Sequence, residues 1–409
     1  MRFEFIIAVW GDSFTDLFLE IGLPSQLMAG NLRHFRGRVD VLYTIYTRSR
    51  DRQTIERSAA YEALRNLLPT EISLIDDIDP ALHSHTILTE CHQRALLRPR
   101  PTESALVFLT PDTLWADRSF ANLERIALLG KKSVLVPTVR VLKESFVPAI
   151  LQIKHDYDLP ELQLSARELV AATLKHLHPF SACLFWDAQE FSSIPYSIYW
   201  RVGTEGVVAR CFHMHPLLII WHRAGDILSN TIDGELVYDA YPDSTAIHVV
   251  TDSDEIFAAE ISSAAHLNNT STSMYLSRTT LTAGWALRHA NPHHRKYFEH
   301  KIRIHSGAIS PGWKAIEAES DAAAARIFTA MAVMHVINSL PDRIIEVVPQ
   351  LKYLRPRHWF RRPFYIICWE KYSRFRRAIS PRIPRWAKRL KRSFGAMLNV
   401  ERDVDSRGR

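Results

Sequence analysis

Glycine is scarce in this sequence, with 14 copies among 409 residues. That is about half of the usual fraction in globular proteins. Neither G-x-G-x-x-G nor G-x-x-x-x-G-K-[ST] occurs anywhere in the chain. Both motifs need glycine because the backbone must approach a phosphate closely. The common dinucleotide-binding and P-loop phosphate sites are therefore excluded.

Cysteine and long apolar runs are scarce too. The four cysteines lie far apart and form no C-x-x-C pair, which is typical of a reducing compartment and argues against a disulfide scaffold or a zinc ribbon. The first apolar run ends at Gly11-Asp12, too early for a signal peptide. No run reaches the roughly 18 apolar residues that span a bilayer. We therefore expect a cytoplasmic protein, peripheral at most on the inner face of a membrane.

Charge is distributed unevenly along the chain. The net charge is +7, yet residues 352–392 carry fifteen Lys or Arg and one acid, which leaves residues 1–351 with a net charge of −7. Aromatic and aliphatic residues separate the basic ones, a pattern that favours an anionic membrane surface as partner. Nucleic acid would attract the same charge, but the acidic body would repel a phosphate backbone, so it is not an expected partner. A solvated or partner-binding tail is the alternative.

Strand-like and helix-like segments alternate over the first 150 residues, which is typical of a mostly parallel sheet flanked by helices. The predicted strands there are Phe3–Trp10, Val39–Thr47, Ile72–Ile75, Ser104–Leu109 and Lys132–Val136. Later strands are predicted at Tyr196–Val202, Val207–His213, Leu217–Trp221 and Ile247–Val250. The sequence thus predicts an α/β fold in three parts: an α/β half at 1–150, a mixed α+β half at 151–345, and a basic aromatic segment at 346–409.

An acid follows the most apolar of these strands, in Thr110-Pro111-Asp112. Ligands of open α/β sheets bind beyond the carboxyl ends of the strands, so Asp112 is expected to face a crevice. A divalent cation that bridges two phosphates needs hard oxygen ligands, and a carboxylate is of the right type. The alternative is that Asp112 and Asp117 only cap the helix that begins near Ser119.

Five features in order resemble the nucleotide-sugar half of GT-A-fold glycosyltransferases, over roughly residues 1–140. They are Gly11-Asp12-Ser13-Phe14 after the first strand, the segment Leu23–Leu27, the strand Tyr43–Thr47, the helix after Asp51, and the acid-bearing strand end near residue 110. The resemblance implies a nucleotide-sugar donor, with Asp12 near the base or ribose, Asp112 at the diphosphate, and Mn²⁺ or Mg²⁺ as cofactor. In that fold the strand end usually carries D-x-D, and here Thr110 replaces the first acid.

A second acidic segment, Asp252-Ser253-Asp254-Glu255, is a literal D-x-D after an apolar strand. Carboxylates this close together can place two oxygens on one cation. Asp252 and Asp254 are therefore predicted to be catalytic, as a metal ligand or a general base. The alternative is an acidic turn that caps a helix from about Ile256.

Two histidines, His213 and His215, lie two apart in a predicted strand, so their side chains would share a face and could meet one metal or phosphate. In the resembled fold a histidine from the second half often completes the metal shell. The resemblance thus gives Asp112, His213 and His215 as metal ligands. The alternative is a pair of histidines held by backbone partners.

The resemblance implies a glycosyltransferase that uses a nucleotide-activated sugar donor, and with the basic segment it leads us to expect a cell-envelope polysaccharide or a lipid-linked acceptor. Residues 1–150 would hold the nucleotide, residues 165–340 would supply the acceptor face, and the basic segment would hold the enzyme on the cytoplasmic leaflet. The alternative is a non-catalytic α/β scaffold that docks to a membrane or a partner through its basic tail. Thr110 in place of an acid favours that alternative.

Overall fold

The structure is a computed structural model, and it describes residues 1–37, 40–100, 104–156, 162–221, 228, 232, 235–266 and 277–339. The basic segment 352–392 and the rest of the predicted third part, 346–409, lie outside the described residues. All statements on the fold concern the described residues.

The strands in chain order are β1 (Arg2–Ala8), β2 (Val41–Thr47), β3 (Thr70–Leu74), β4 (Ser104–Leu109), β5 (Thr113–Trp115), β6 (Ser133–Val136), β7 (Thr138–Leu142), β8 (Ser197–Val202), β9 (Gly206–Cys211), β10 (His215–Ile220), β11 (Ile247–Val249), β12 (Ala258–Ser262) and β13 (Ile302–His305). Each strand predicted from the sequence is present, with its ends within two residues of the expected ones.

The α-helices in chain order are α1 (Asp12–Leu17), α2 (Leu23–Gln26), α3 (Ser49–Glu56), α4 (Ala59–Leu67), α5 (Ser84–Leu96), α6 (Ser119–Leu128), α7 (Lys143–Asp156), α8 (Ala166–Lys175), α9 (Pro179–Ala182), α10 (Glu235–Ala240), α11 (Arg278–His289), α12 (Pro292–Glu299) and α13 (Gly312–Ser339). The capping box predicted at the start of α8 is present, because Ser165 and Glu168 each bond the other's backbone N–H.

The central sheet has seven strands in the order β3-β2-β1-β4-β10-β6-β11. Neighbouring strands run parallel except at β10, which is antiparallel to both β4 and β6. The α/β prediction with a mostly parallel sheet is therefore confirmed. Residues beyond 150 contribute β10 and β11, so this one sheet draws strands from both predicted halves.

Both faces of the central sheet are buried. In β1 the side chains of Phe5 and Ile7 belong to one core cluster, and those of Ile6 and Ala8 belong to the other. Successive side chains of a strand point to opposite faces, so a strand that is covered on both sides must be apolar throughout. This requirement explains the apolar runs Phe5–Ala8 of β1 and Ala105–Leu109 of β4, while Glu4 of β1, also buried, is paired with Arg100.

Two three-stranded sheets, β5-β12-β7 and β13-β9-β8, complete the architecture. β12 pairs in parallel with β7 and antiparallel with β5, so the helix predicted from about Ile256 is wrong. The apolar residues Ile256, Phe257 and Ala258 are all buried. Their strand partners precede them by more than 100 residues, and a local capping pattern carries no information about such pairing.

The longest described helix, α13, is a core element on β13-β9-β8. Among the described residues one segment, Gly312–Asn338, is long and apolar enough to cross a membrane, and 39% of its most apolar stretch is buried. Besides the two core clusters on the faces of the central sheet, a third cluster lies on the sheet β13-β9-β8. Trp313, Ile327 and Met331 of α13 are buried in it with side chains of β8, β9 and α11. The buried Arg210 of β9 also forms an ion pair with Asp321 of α13.

Candidate functional site

The strand order of the central sheet reverses between β1 and β4. From β1 the chain proceeds to β2 and β3 on one side, and it returns to place β4 on the other side of β1. Open α/β sheets bind ligands at such a switch point, in the crevice beyond the carboxyl ends of the strands. The segments that leave these two ends are Trp10–Ser13 and Thr110–Asp112. Asp12 and Asp112 thus both lie in segments that follow strand ends at the switch point, and the roles predicted for them stay predictions.

The turn after β1 presents an exposed carboxylate with positive charges around it. Gly11 has a φ of +81°, which glycine adopts without strain. Its N–H donates to Asp51 Oδ2 at 3.0 Å. Asp12 and Ser13 beyond it are exposed. Lys143 Nζ donates to Ser13 Oγ at 3.2 Å, and the guanidinium of Arg50 lies beside Gly11 with its side chain 65% exposed.

The turn after β4 holds Asp112 close to β12. The Asp112 carbonyl accepts the Ile261 N–H at 2.7 Å, so Asp112 adjoins Glu260, which forms an ion pair with Arg140. Burial and then the nearby Glu260 carboxylate raise the pKa of Asp112 to about 6. A second acid is therefore present at this strand end, but it comes from β12 and not from position 110. The sequence reasoning missed Glu260 because it did not predict β12.

The capping alternative for this segment is wrong. The N-cap position of α6 is Arg118, which makes no side-chain cap. Asp117 Oδ1 instead accepts the N–H of Gly30 at 2.7 Å, and so ties the start of α6 to the loop before β2. Asp112 lies still farther from the helix, beyond β5. Neither acid acts as the cap of α6.

The two predicted metal-binding histidines have different neighbours. His215 begins β10, and its Nε2 donates to the Phe108 carbonyl at 2.7 Å. His213 precedes the strand, so the alternation of strand side chains does not apply to it. Its Nε2 is 3.2 Å from the His289 carbonyl, and its ring lies 4.1 Å from the ring of His294. Each therefore has a backbone partner, as the alternative interpretation held, and their assignment as metal ligands stays a prediction.

A different set of side chains converges at the second acidic segment. Among the described residues, one group of three or more His, Cys, Asp or Glu has ligand atoms within 4.8 Å of one another: Asp252, Asp254 and His305. His305 Nε2 lies 2.9 Å from Asp252 Oδ1 and 3.8 Å from Asp254 Oδ2. Asp112, His213 and His215 do not form such a group. The structure therefore brings the predicted acids Asp252 and Asp254 together with a histidine that the sequence reasoning did not single out.

Backbone pairing between the acidic segment and β13 creates this cluster. Ser253 N–H donates to the Arg303 carbonyl at 2.8 Å, Arg303 N–H donates to the Thr251 carbonyl at 2.8 Å, and His305 N–H donates to the buried Ser253 Oγ at 3.1 Å. Asp252 and His305 are thereby held face to face, although 53 residues separate them. A usable sequence signal was the alternating strand Ile302–His305, with its histidine followed by Gly307.

Hydrogen bonds set the charge of these groups. The contact with Asp252 raises the pKa of His305, although burial opposes it. Burial is the strongest single influence on Asp252 and would raise its pKa, but the hydrogen bonds from His305 and the Asp254 N–H, together with the nearby positive charges, outweigh burial and lower the pKa. His305 Nδ1 donates to the Gly307 carbonyl at 2.6 Å, which fixes the ring so that Nε2 faces the two carboxylates.

A groove of about 710 Å³ opens beside this cluster, and Asp254 is one of its lining residues. The start of α6, with Arg118, forms one side, and the start of α8, from Ser165 to Glu168, forms another. Arg167 in this lining binds Asp254 through two nitrogens, the shorter contact being 2.8 Å. Donor groups for a cation and space for a ligand thus adjoin at Asp254.

Comparisons with known proteins show partial structural similarity alone. No protein-family model and no curated protein sequence matches this chain. Mouse xyloside xylosyltransferase 1, in its apo form, is 10% identical, with 39% of this chain and 59% of that chain covered and a TM-score of 0.21. A putative glucose-1-phosphate thymidylyltransferase from Bacillus anthracis, in complex with sucrose, is 12% identical, with 34% of this chain and 55% of that chain covered and a TM-score of 0.23. The chain thus spans less than two thirds of each of these two transferases.

Proposed function

We propose that this protein is a glycosyltransferase that uses a nucleotide-activated sugar as donor. The observation that carries the proposal is the switch point of the central sheet, where Asp12 and Asp112 follow the carboxyl ends of the adjacent strands β1 and β4. This is the position at which open α/β sheets bind nucleotides. Because no glycine-rich phosphate loop occurs in the sequence, we expect side chains to supply most of the contacts to the phosphates.

The turn after β1 has the groups that a nucleotide diphosphate needs. The exposed Asp12 can accept hydrogen bonds from a ribose or a base. Arg50 of α3 and Lys143 of α7 supply positive charge beside this turn and would pair with phosphate oxygens. Arg50 is held by a 3.4 Å contact to Asp51, which in turn binds the Gly11 N–H, so the turn and its cation are positioned together.

Asp112 is suited to take the proton from the acceptor hydroxyl. Its raised pKa, about 6, lies close to neutral pH, where a carboxylate is both ionised and basic enough to act as a general base. Glu260 is less suited to this role because its charge is neutralised by Arg140. In this proposal the Ile261 N–H holds the Asp112 backbone, and Arg140 and Glu260 set the charge around Asp112 and are not the base.

The divalent cation implied by the resemblance would, when bound at a diphosphate, neutralise the charge of the leaving group. The residues around Asp112 do not fit that role. Arg140 already pairs with the second carboxylate, Glu260, and Asp112, His213 and His215 do not bring their ligand atoms within 4.8 Å of one another. We therefore derive no step through a cation at Asp112, and Arg50 and Lys143 carry the charge of the diphosphate.

The acceptor in this proposal is a cell-envelope polysaccharide or a lipid-linked glycan, reached at the cytoplasmic face of a membrane. The net charge of +14 over residues 352–392 and the aromatic residues between those charges support this part of the proposal. A peripheral enzyme held in this way would meet an acceptor whose lipid part stays in the same leaflet.

Turnover of a donor panel tests the function. Full-length protein is incubated with UDP-, GDP-, dTDP- and ADP-sugars, with and without membrane lipids as acceptor, and the released nucleoside diphosphate is measured. One donor class is expected to be consumed. Asp112→Asn should lower the rate by about 100-fold or more, because it removes the base, whereas Asp243→Asn, at an exposed acid that caps a short turn, should not. The proposal fails if no donor is consumed under either condition.

A further inference from the structure

We propose that Asp252, Asp254 and His305 bind a divalent transition-metal cation, with Mn²⁺ or Zn²⁺ favoured over Mg²⁺ and Ca²⁺. The inference goes beyond the sugar-transfer proposal and does not depend on it, because the site is separate from the acids of the β1–β4 switch point. It rests on the convergence of two carboxylates and one oriented imidazole at the edge of a groove.

The distances between the donor atoms suit a bound cation. Metal bonds of about 2.1 Å to nitrogen and oxygen place two ligand atoms about 3.0 Å apart at a right angle and about 3.4 Å apart in a tetrahedron. The separations from His305 Nε2, 2.9 Å to Asp252 and 3.8 Å to Asp254, lie on either side of these values. A cation could therefore enter with small rotations of the two carboxylates and no movement of the backbone.

The support around His305 is of the kind that metal-binding histidines have. Its side chain is 3% exposed, and its Nδ1 donates to the Gly307 carbonyl, so Nε2 is the nitrogen left to face the carboxylates. The ring also packs edge-on against Trp313, which restrains its rotation. The strand pairing of Ser253 with Arg303 fixes the distance between the two halves of the site.

The donor set decides the class of cation. Mg²⁺ and Ca²⁺ prefer oxygen ligands alone, whereas an imidazole with two carboxylates suits Mn²⁺, Fe²⁺, Co²⁺ and Zn²⁺. Three protein ligands leave at least one coordination position open. Asp254 lies on the groove, so we infer that the open position faces it. Arg118 and Arg167 on the same groove favour an anionic oxygen ligand there, such as a phosphate or a carboxylate.

Arg167 gives Asp254 an alternative partner. Its guanidinium binds both oxygens of that carboxylate, and both groups are about half exposed. An ion pair this exposed is worth little, about 0–1 kcal/mol, so it does not prevent Asp254 from turning to a metal. Cation binding would then free Arg167 for a ligand in the groove.

Direct titration with Mn²⁺ tests the site. Full-length protein is treated with a chelator, exchanged into buffer, and titrated with MnCl₂ while the electron paramagnetic resonance signal of free Mn²⁺ is followed. One Mn²⁺ per chain is expected, displaced by Zn²⁺ and not by an equal concentration of Mg²⁺. Electron spin echo modulation of the bound Mn²⁺ should show a nitrogen nucleus, which reports an imidazole ligand in the wild-type protein without any variant.

Matched variants locate the site. Asp252→Asn and His305→Gln should each weaken Mn²⁺ binding at least about tenfold. Asp243→Asn and His34→Gln should not; His34 makes a similar 2.6 Å contact to a carboxylate, Glu124, but is not part of the group of three ligand residues. The proposal is overturned if the wild type binds no Mn²⁺, if the bound Mn²⁺ shows no nitrogen coupling, or if both site variants bind as the wild type does. None of these outcomes depends on donor turnover, so the two proposals fail separately.

Discussion

Replacing Arg210 by methionine should reveal how firmly α13 is joined to the sheet beneath it. Arg210 lies on β9 with its side chain 2% exposed. Its guanidinium donates to Ser320 Oγ at 3.1 Å, to the Phe298 carbonyl at 3.1 Å and to the Glu299 carbonyl at 3.0 Å, and it forms an ion pair with Asp321. One side chain thus joins β9 to α13 and to the end of α12.

The cost of Arg210→Met follows from these contacts. Methionine keeps most of the aliphatic volume, so the cavity is small and the loss is mainly polar. A hydrogen bond from a charged group contributes about 1.5–3 kcal/mol, but Asp321 is half exposed and regains water once it is unpaired. We therefore expect the free energy of unfolding to fall by about 3–5 kcal/mol, because Ser320 Oγ and the Phe298 and Glu299 carbonyls lose their donor, at about 1–3 kcal/mol for each acceptor left unsatisfied.

Urea unfolding of the full-length protein, followed by circular dichroism, measures this loss. The matched control is Arg201→Met on the neighbouring strand β8. Arg201 is half exposed, pairs with the exposed Asp187 at 3.3 Å, and lies 3.8 Å above the Phe185 ring, contacts that together contribute about 1 kcal/mol. Equal losses in the two variants would refute the assignment of Arg210 as the buried link to α13.

Three further predictions concern stability and membrane binding. Burial raises the pKa of Asp112 from 3.8 to about 6, so its carboxylate destabilises the folded state above pH 6 and has no effect below pH 3.8. Asp112→Asn should therefore increase the free energy of unfolding in urea by about 1–3 kcal/mol at pH 8 and leave it unchanged at pH 3.5. A decrease at pH 8 would contradict this prediction. A Cβ at Gly206 would lie 2.1 Å from the Ile304 carbonyl, so Gly206→Ala should lower the free energy of unfolding by at least about 2 kcal/mol in the same assay. The control is Gly307→Ala, because nothing lies within 4 Å of a Cβ placed there. Equal losses in the two variants would rule out a close approach of β9 and β13. A chain that ends at Leu351 loses the basic segment, in which each basic residue near an anionic membrane surface contributes about 1 kcal/mol to membrane binding. This shortened chain should no longer sediment with phosphatidylserine vesicles. Equal sedimentation of the shortened and full-length chains would exclude that segment as the membrane contact.

The strands of the central sheet could be predicted because their signals are local. Runs such as Ala105–Leu109 are apolar throughout and are followed by turn residues, and a strand covered on both faces requires such a run. β12 could not be found in this way. Its sequence follows an acidic segment that also resembles a helix start, and pairing with β5 and β7 decided the outcome.

The candidate sites show the same division between local and non-local information. Asp112, Asp252 and Asp254 were found because each follows an apolar strand. Glu260 and His305 were missed because their relevance comes from strand pairing across about 150 and 50 residues, respectively. The prediction that His213 and His215 share a face assumed a strand that in fact begins only at His215.

Calorimetric titration with nucleoside diphosphates tests the central claim most directly, because it needs no acceptor. UDP, GDP, dTDP and ADP are each titrated into full-length wild type, Asp12→Asn and Arg201→Met. The account predicts that one of them binds the wild type and Arg201→Met alike, and that Asp12→Asn weakens its binding. If none of the four binds the wild type, or if Asp12→Asn binds as tightly as the wild type, the switch point between β1 and β4 is not a nucleotide site.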